Sequence, residues 1–185
     1  VETRPIKGTR PRGRTPEEDR ALSDELLSST KDRAENVMIV DLLRNDLGRV
    51  CTPGSIRVPQ LCQLESYPNV HHLVSVVQGQ LAAQHSPLSL LTAAFPGGSI
   101  TGAPKIRAMQ IIDELEPCQR SVYCGSLGYI DVRGSMDTSI AIRTMVADDG
   151  ALHVWGGGGL VADSKADEEY TETLDKIRHL IDALE

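Results

Sequence analysis

The alternation of apolar and polar residues predicts two consecutive helices near the start of the chain. Thr15, followed by Pro16 and two glutamates, has the form of a helix N-terminus and predicts a helix over about residues 16–28. Residues 31–46 contain no Gly or Pro and carry apolar residues at helical spacing, which predicts the second helix. Four of its residues are expected to share one face: Glu35, Met38, Ile39 and Leu42.

Strands are predicted in two later stretches. In residues 49–80, short apolar runs alternate with Pro and Gly, a pattern typical of strands and turns. Residues 121–154 are expected to form a β-meander, with the turn signals Arg133-Gly134 and Asp149-Gly150 between its apolar alternations. Helices are predicted around these strands, over about residues 88–94, 104–116 and 165–184, the last one capped by Ser164. Antiparallel sheets with flanking helices indicate the α+β class.

Composition narrows the class of protein. The 185 residues are 40% hydrophobic with a net charge of -7, which argues against nucleic acid or an anionic membrane as the main partner. The four cysteines are widely spaced without a C-x-x-C pair, so neither a zinc site nor a disulfide framework is indicated. No apolar run approaches the length of a membrane span and no signal-peptide pattern is present, so we expect a cytoplasmic protein with reduced thiols.

Acidic residues lie on two of the predicted helices. A carboxylate such as Glu35 on an apolar stripe is costly to bury unless a metal, a basic side chain or a helix end pairs with it. Glu35 could equally lie at the edge of the stripe and reach water. On the last helix, Glu169 and Glu172 stand beside Lys176, a pattern that a solvated helix face also explains.

Basic and glycine-rich segments suggest contact with an anion. Four consecutive glycines, residues 156–159, precede the last helix, and they either form a flexible turn or bring backbone N–H groups close to a ligand. Arg143 is predicted in a strand, on the same face as Ala141 and Met145. There it could hold a carboxylate through a two-pronged hydrogen bond, or simply face solvent.

Other positions carry candidate chemistry. Lys7 lies in a Pro-Ile-Lys-Gly-Thr segment and could be a nucleophile if it is desolvated, although most surface lysines are solvated. His71 and His72 lie in an apolar strand, where a histidine is more often a satisfied core residue than a catalyst. Thr101 precedes a predicted helix N-terminus, a place suited to an anion. Together with the acidic residues, these features suggest a Mg²⁺ site beside an anion site, which would suit a polycarboxylate substrate.

Five motifs in order give the chain a resemblance to a known family. They are Pro5-Ile6-Lys7-Gly8-Thr9, Lys31-Asp32-Arg33-Ala34-Glu35-Asn36, Gly97-Gly98-Ser99-Ile100-Thr101-Gly102-Ala103-Pro104-Lys105, Ala141-Ile142-Arg143-Thr144 and Glu169-Tyr170-Thr171-Glu172-Thr173. Essentially from end to end the chain resembles the chorismate-utilising enzymes, and within them the aminodeoxychorismate synthases. The resemblance implies Mg²⁺-dependent amination of chorismate to 4-amino-4-deoxychorismate, towards 4-aminobenzoate and folate. Ammonia would come from a glutamine amidotransferase subunit.

The resemblance also implies roles for individual residues. Lys7 resembles a nucleophile that attacks C2 of chorismate while the C4 hydroxyl leaves, and His72 matches a histidine near that hydroxyl. The implied Mg²⁺ ligands are Glu35 and Glu172, with Asp32 and Glu169 as direct or water-mediated helpers. The implied substrate-binding residues are Thr9, Thr101, Tyr129, Arg143, Gly157, Gly158, Gly159 and Lys176.

Two alternatives remain at this point. Anthranilate synthase component I resembles the chain elsewhere but typically has Ala in place of Lys7, so this one residue points to amination. The other alternative is a non-catalytic fragment that binds chorismate or a partner subunit. Family members are more than twice as long, so we expect residues 1–185 to be the C-terminal part of a single catalytic domain. Such a piece would be inactive or weak alone, and its exposed sheet edges would favour self-association.

Overall fold

In the computed structural model, which describes residues 1–162 and 164–184, the chain divides into two units. The first unit is Val1–Ser99 and the second is Ile100–Glu185. Each contains helices and antiparallel strands, which confirms the predicted α+β class. Over the described part of the chain, no helix is both long and apolar enough to cross a lipid bilayer.

The first two helices form where the sequence predicts them. Helix α1 spans Pro16–Ser28 and α2 spans Thr30–Gly48. The Thr15 side chain accepts a hydrogen bond from the backbone N–H of Glu18, which satisfies one of the free donors at the start of α1. Ser29 caps α2 in the same way, through the backbone N–H of Asp32.

A four-stranded antiparallel sheet completes the first unit. Its strands are β1 (Glu2–Thr3), β2 (Ile6–Pro11), β3 (Arg57–Ser66) and β4 (Val70–Gln78). Strand β4 pairs with β3 along one edge, and with β2 and β1 along the other. The strands predicted within residues 49–80 are therefore two long strands rather than several short ones. Pro59 lies within β3, which is an edge strand that tolerates the missing N–H.

The buried core of the first unit includes residues of α2, of β4 and of the segment between α2 and β3. It contains Val40, Leu47, Cys51 and Val77, with partly buried Leu43, Ile56, Val58 and Leu90 packed against it. Leu90 belongs to α3 (Pro87–Ala94), which a Ser86–Ser89 capping box starts. The predicted apolar stripe of α2 is partly wrong, since Met38 is 44% exposed while Asn36 is fully buried. The helix is rotated towards Asn36 because that side chain finds polar partners on β4.

The second unit contains two hairpins and two helices. Their elements are α4 (Lys105–Leu115), β5 (Ser126–Ile130), β6 (Met136–Ile140), β7 (Met145–Asp148), β8 (Ala151–Val154) and α5 (Ala166–Asp182). Both hairpin turns lie at the predicted Gly134 and Gly150, which adopt φ of +84° and +76°. The β-meander prediction is wrong, because β5–β6 and β7–β8 form separate two-stranded sheets. The predicted Ser164 cap is also wrong: Lys165 is the N-cap residue, without a side-chain cap.

Candidate functional site

Lys7 is held beside Glu35 by a distortion in β2. The pairing of β2 with β4 shifts register between Ile6 and Thr9, and Gly8 adopts φ of +84°. A Cβ atom on Gly8 would lie 2.9 Å from the Cβ of Asp32, so glycine allows β2 to approach α2 closely. Lys7 Nζ lies 3.8 Å from Glu35 Oε2, and these side chains are 26% and 27% exposed. Of the alternatives for Glu35, the structure shows a basic partner together with partial contact with water.

Asp32, the other acidic residue of the motif on α2, also faces a cation. Arg10 Nη2 lies 3.4 Å from Asp32 Oδ2, and Arg10 Nε donates to Glu25 at 2.8 Å. Arg10 therefore joins β2 to both α1 and α2. Asp32 and Glu35 are three residues apart on α2, so they lie on neighbouring positions of one helix face.

Thr9 and His72 are paired across β2 and β4. They are register partners, and Thr9 Oγ1 lies 2.9 Å from His72 Nδ1. This contact orients the His72 ring through Nδ1 and does not involve Nε2. The neighbouring His71 is a satisfied core residue: it is 2% exposed, and its ring nitrogens contact Ser66 and Asp19. The prediction that the strand histidines include a core residue is confirmed for His71.

In the second unit, α5 carries three of the predicted site residues next to the glycine segment. Lys176 Nζ lies 2.6 Å from Glu172 Oε1 and 3.3 Å from the Gly157 carbonyl oxygen, to which it donates. Glu169 accepts a hydrogen bond of 2.6 Å from the Ser164 hydroxyl. A Cβ atom on Gly158 would lie 2.8 Å from Glu169 Oε2. The structure therefore brings the glycine segment together with Glu169 and Lys176.

Close packing gives a structural reason for several of the four glycines. A Cβ atom on Gly156 would lie 3.0 Å from Ile177 on α5, and one on Gly157 would lie 2.7 Å from the Tyr123 hydroxyl oxygen. On Gly159 a Cβ atom would meet no described atom within 4 Å. The prediction that this segment contacts a ligand remains a prediction.

Tyr123 is a neighbour of the glycine segment that the sequence analysis missed. Burial raises the pKa of Tyr123 to about 12, with a further contribution from Cys124, so the hydroxyl keeps its proton. The Arg120 guanidinium lies 5.9 Å from the centre of the Tyr123 ring. Hydrogen bonds from Arg120 also lower the pKa of Glu116. No local signal marks Tyr123, because its partner Gly157 lies far along the chain.

The remaining predicted residues of the second unit lie on other segments. Arg143 is not in a strand: it occupies a bend between β6 and β7 with φ of +50°, so the argument from strand alternation is wrong. The chain turns there instead of continuing the strand from Ile140 to Met145. Tyr129 lies on β5 opposite Asp137 and is 61% exposed. Thr101 lies in the turn that precedes α4.

The donor chemistry of both units suits Mg²⁺, which prefers a few carboxylates and completes its shell with water and ligand oxygens. Asp32 with Glu35, and Glu169 with Glu172, are carboxylate pairs three residues apart on their helices. Within residues 1–162 and 164–184, no three His, Cys, Asp or Glu side chains are grouped as a metal site. Each pair would therefore supply at most two protein ligands.

Comparison with known proteins places these motifs in a family. A family model described as chorismate binding enzyme matches residues 1–182. Aminodeoxychorismate synthase component 1 of Klebsiella aerogenes is 57% identical over 185 residues, which are all of this chain and 41% of that protein. Anthranilate synthase component 1 of Pseudomonas putida is 54% identical, over 100% of this chain and 37% of that protein.

A solved structure has the same fold. Anthranilate synthase component I from Streptococcus pneumoniae superposes with a TM-score of 0.86 at 44% identity, covering 96% of this chain and 39% of that one. The chain thus spans about two fifths of the length of the relatives it matches. The fold agrees with the predicted resemblance, and the match extends through both units. The chain belongs to the chorismate binding enzyme family.

Proposed function

We propose that this chain supplies the nucleophile and the anion-binding groups for amination of chorismate to 4-amino-4-deoxychorismate. The observation that carries the proposal is Lys7, held by the β2 bulge 3.8 Å from the Glu35 carboxylate and only partly exposed. Lysine at this position resembles the aminodeoxychorismate synthases, whereas anthranilate synthases typically have Ala there. Several of the relatives in the comparison are aminodeoxychorismate synthases by name.

The proposed chemistry uses Lys7 as a covalent nucleophile. The uncharged Lys7 amine attacks C2 of chorismate, the ring double bond shifts, and the C4 hydroxyl departs as water after receiving a proton. Ammonia then adds at C4, the double bond shifts back, and Lys7 is released. Chorismate and ammonia thus give 4-amino-4-deoxychorismate and water, and the enolpyruvyl group is retained. His72, oriented by Thr9, is proposed to lie near the departing hydroxyl.

The carboxylates are proposed to bind Mg²⁺, which would in turn bind the ring carboxylate of the substrate. By family resemblance, the proposed ligands are Glu35 in the first unit and Glu172 in the second, with Asp32 and Glu169 as direct or water-mediated helpers. When bound, the ion would neutralise the substrate carboxylate and polarise the ring. Before that, Lys7 and Lys176 occupy the carboxylates of Glu35 and Glu172.

The proposed binding of the enolpyruvyl carboxylate uses the second unit. Arg143 can donate two parallel hydrogen bonds to a carboxylate, and the backbone N–H groups of Gly157, Gly158 and Gly159 can donate others. Tyr129, Thr101 and Lys176 are proposed as further pocket residues. The ammonia is proposed to come from a separate glutamine amidotransferase subunit, since the similar proteins are each named as one component.

A chimera tests this proposal. Residues 1–185 would replace the aligned segment of the Klebsiella aerogenes relative, and the chimera and the chain alone would each receive chorismate, excess ammonium and Mg²⁺. Products are identified by liquid chromatography and mass spectrometry. We expect 4-amino-4-deoxychorismate from the chimera, at least a hundredfold less from its Lys7→Ala variant, and little or none from the chain alone. The matched control is Lys31→Ala, an exposed lysine on α2 that should keep the parent activity.

The second candidate, anthranilate formation, is favoured by anthranilate synthase relatives that are nearly as similar in sequence. It predicts a different outcome of the same experiment. Anthranilate and free pyruvate from the chimera, with activity that survives Lys7→Ala, would overturn the proposed amination. An amidotransferase partner is tested by replacing ammonium with glutamine, which should support turnover only when that subunit is added.

A further inference from the structure

A chain of buried polar groups links α2 to β4 and β3. Asn36 Nδ2 donates to the Leu73 carbonyl oxygen at 3.1 Å, and Asn36 Oδ1 accepts a hydrogen bond from the Ser75 hydroxyl. Ser75 Oγ in turn accepts the backbone N–H of Cys62 at 2.8 Å. Asn36 and Ser75 are both fully buried. Asn36, Ser75 and Cys62 are called the Asn36 network below.

The Asn36 network ends at an irregular point of β3. The pairing of β3 with β4 shifts register between Gln60 and Gln63, and Cys62 lies there with φ of +49°. Such a conformation is uncommon for a residue other than glycine, so it requires support from its surroundings. At the bulge the Cys62 N–H donates to the Ser75 hydroxyl oxygen instead of taking part in the backbone pairing of β3 with β4.

A network of this kind fixes geometry more than it adds stability. Each buried polar group costs free energy if it loses its partner, so these groups tolerate few arrangements. Apolar contacts alone specify the position of a helix less sharply, because apolar side chains can repack with small shifts. The Asn36 hydrogen bonds, by contrast, are satisfied at one rotation and one height of the helix.

That rotation determines where the neighbouring carboxylate points. Glu35 precedes Asn36 by one residue, which is about 100° around a helix of 3.6 residues per turn. With Asn36 directed at β4, Glu35 is directed at β2, and it meets Lys7 there at 3.8 Å. Asp32, one turn earlier, meets Arg10 on the same strand.

We propose that the Asn36 network is a positioning device that holds Glu35 opposite Lys7. Asn36, Ser75 and the Cys62 backbone act through α2 and do not touch the reacting groups. The catalytic consequence rests on the proposed function, in which Lys7 and Glu35 belong to the active site. The structural consequence, a fixed Lys7–Glu35 pair, holds whatever the reaction is.

The test measures the reactivity of Lys7 directly. Reductive methylation with formaldehyde and a borohydride would be followed by mass spectrometry of the Lys7 peptide, with the exposed Lys31 as internal reference. The full chain and the chimera are compared as parent, Asn36→Leu, Ser75→Ala and Ser75→Thr. The matched control is Val40→Ala, which removes buried apolar volume from the same helix without touching a hydrogen bond.

We expect the ratio of Lys7 to Lys31 modification to rise at least threefold in Asn36→Leu and Ser75→Ala, because the displaced Glu35 no longer shields Lys7. Ser75→Thr keeps the hydroxyl and should keep the parent ratio. Val40→Ala should lower the melting temperature and leave the ratio within a factor of 1.5. An unchanged ratio in folded Ser75→Ala, or an equal rise in Val40→Ala, would overturn the proposal.

Turnover of the chimera supplies a second readout. If the proposed amination is correct, Ser75→Ala should lower kcat at least tenfold while Ser75→Thr and Val40→Ala stay within threefold of the parent. If the parent chimera makes no 4-amino-4-deoxychorismate, the proposed function fails, and the methylation ratio still decides the positioning role. The two failures are thus distinguishable.

Discussion

The carboxylate of Asp19 is the meeting point of three segments of the first unit. It accepts two hydrogen bonds of 2.7 Å from the Arg12 guanidinium and one from the Gly13 backbone N–H at 2.8 Å. His71 Nε2 lies 2.9 Å from the same carboxylate. These contacts hold the pKa of Asp19 well below its ordinary value, and the Arg12 hydrogen bonds make the largest contribution. They tie α1 to the end of β2 and to β4.

This shift predicts how stability depends on pH. A carboxyl group whose pKa is lower in the folded state stabilises that state fully above its unfolded pKa, which is about 3.9 for Asp. This contribution is lost as the pH falls from the unfolded pKa towards the folded pKa. In urea unfolding between pH 7 and pH 3, the parent should therefore lose stability steeply below about pH 4. Asp19→Asn should be less stable at pH 7 and should lose less on acidification.

The matched control for that experiment is Asp24→Asn, an exposed carboxylate on the same helix. It should keep both the parent stability at pH 7 and the parent slope. Equal slopes for the parent and Asp19→Asn would show that the Arg12–Asp19–His71 cluster has no linked protonation. The measurement needs the folding equilibrium alone, so it is independent of any enzymatic activity.

Individual residues show how far the sequence could predict the site. The motifs contain Lys7, Thr9 and Glu35, and the family resemblance adds His72. The structure pairs Lys7 with Glu35 and Thr9 with His72. The pairings themselves were not predictable, because they depend on the register between β2 and β4 and on the bulge at Gly8. His71 could be interpreted as a core residue from its apolar neighbours, but its partner Asp19 lies 52 residues away.

At the scale of elements, most local signals predict the structure correctly. Thr15 caps α1 through a contact three residues along, and the glycine turns of both hairpins lie where expected, whereas the predicted Ser164 cap of α5 is wrong. Periodicity failed where a tertiary contact decides. Asn36 is polar, so the apolar pattern predicts a stripe without it, yet the sheet offers it hydrogen-bond partners that make its burial favourable.

Arg143 is the other element-scale failure. Seven residues from Ser139 to Met145 have a composition typical of a strand, but the chain bends after Ile140. At Arg143 the φ angle of +50° breaks the two-residue alternation on which its predicted face depended. Its proposed role rests on the family motif and no longer on strand geometry.

The fit between the glycine segment and Tyr123 yields a prediction at this scale. Gly157→Ala places a Cβ atom 2.7 Å from the Tyr123 hydroxyl oxygen, whereas the ring carbon Cζ would lie at 3.8 Å, an ordinary contact distance. Gly157→Ala should therefore destabilise the chimera by about 1–3 kcal/mol, the usual cost of overpacking. Removing the hydroxyl in Tyr123→Phe should relieve that strain.

Urea unfolding of the single and double variants measures this coupling. The Tyr123→Phe/Gly157→Ala double variant should be more stable than the sum of the single effects by on the order of 1 kcal/mol. Gly159→Ala is the matched control and should be nearly neutral, since its Cβ would meet no described atom within 4 Å. Strict additivity of the two changes would contradict the prediction, because the cost of Gly157→Ala would then not come from the Tyr123 hydroxyl.

At the scale of the whole molecule, burial is divided unequally between the two units. The buried core residues of α2 and β4 all belong to the first unit. Among residues 100–162 and 164–184, Cys124 is the one hydrophobic residue that is buried. Large apolar side chains of the second unit are exposed instead, for example Ile106 at 75%, Leu115 at 72% and Leu127 at 72%. On α5, Tyr170 is 67% exposed and Ile181 41% exposed.

This division predicts different local stabilities, because segments with few buried contacts open at a low free-energy cost. In hydrogen–deuterium exchange of the chain alone, the amides of β4 should be protected at least a hundredfold more than those of α4 and α5. In the chimera, which restores the remaining length of the relative, protection of α4 and α5 should rise while that of β4 changes little. Equal protection of both units in the chain alone would contradict this account, and would mean that the second unit needs no covering partner. Self-association could mimic such protection, so sedimentation at two concentrations is the control: protection that depends on concentration would come from contacts between copies of the chain.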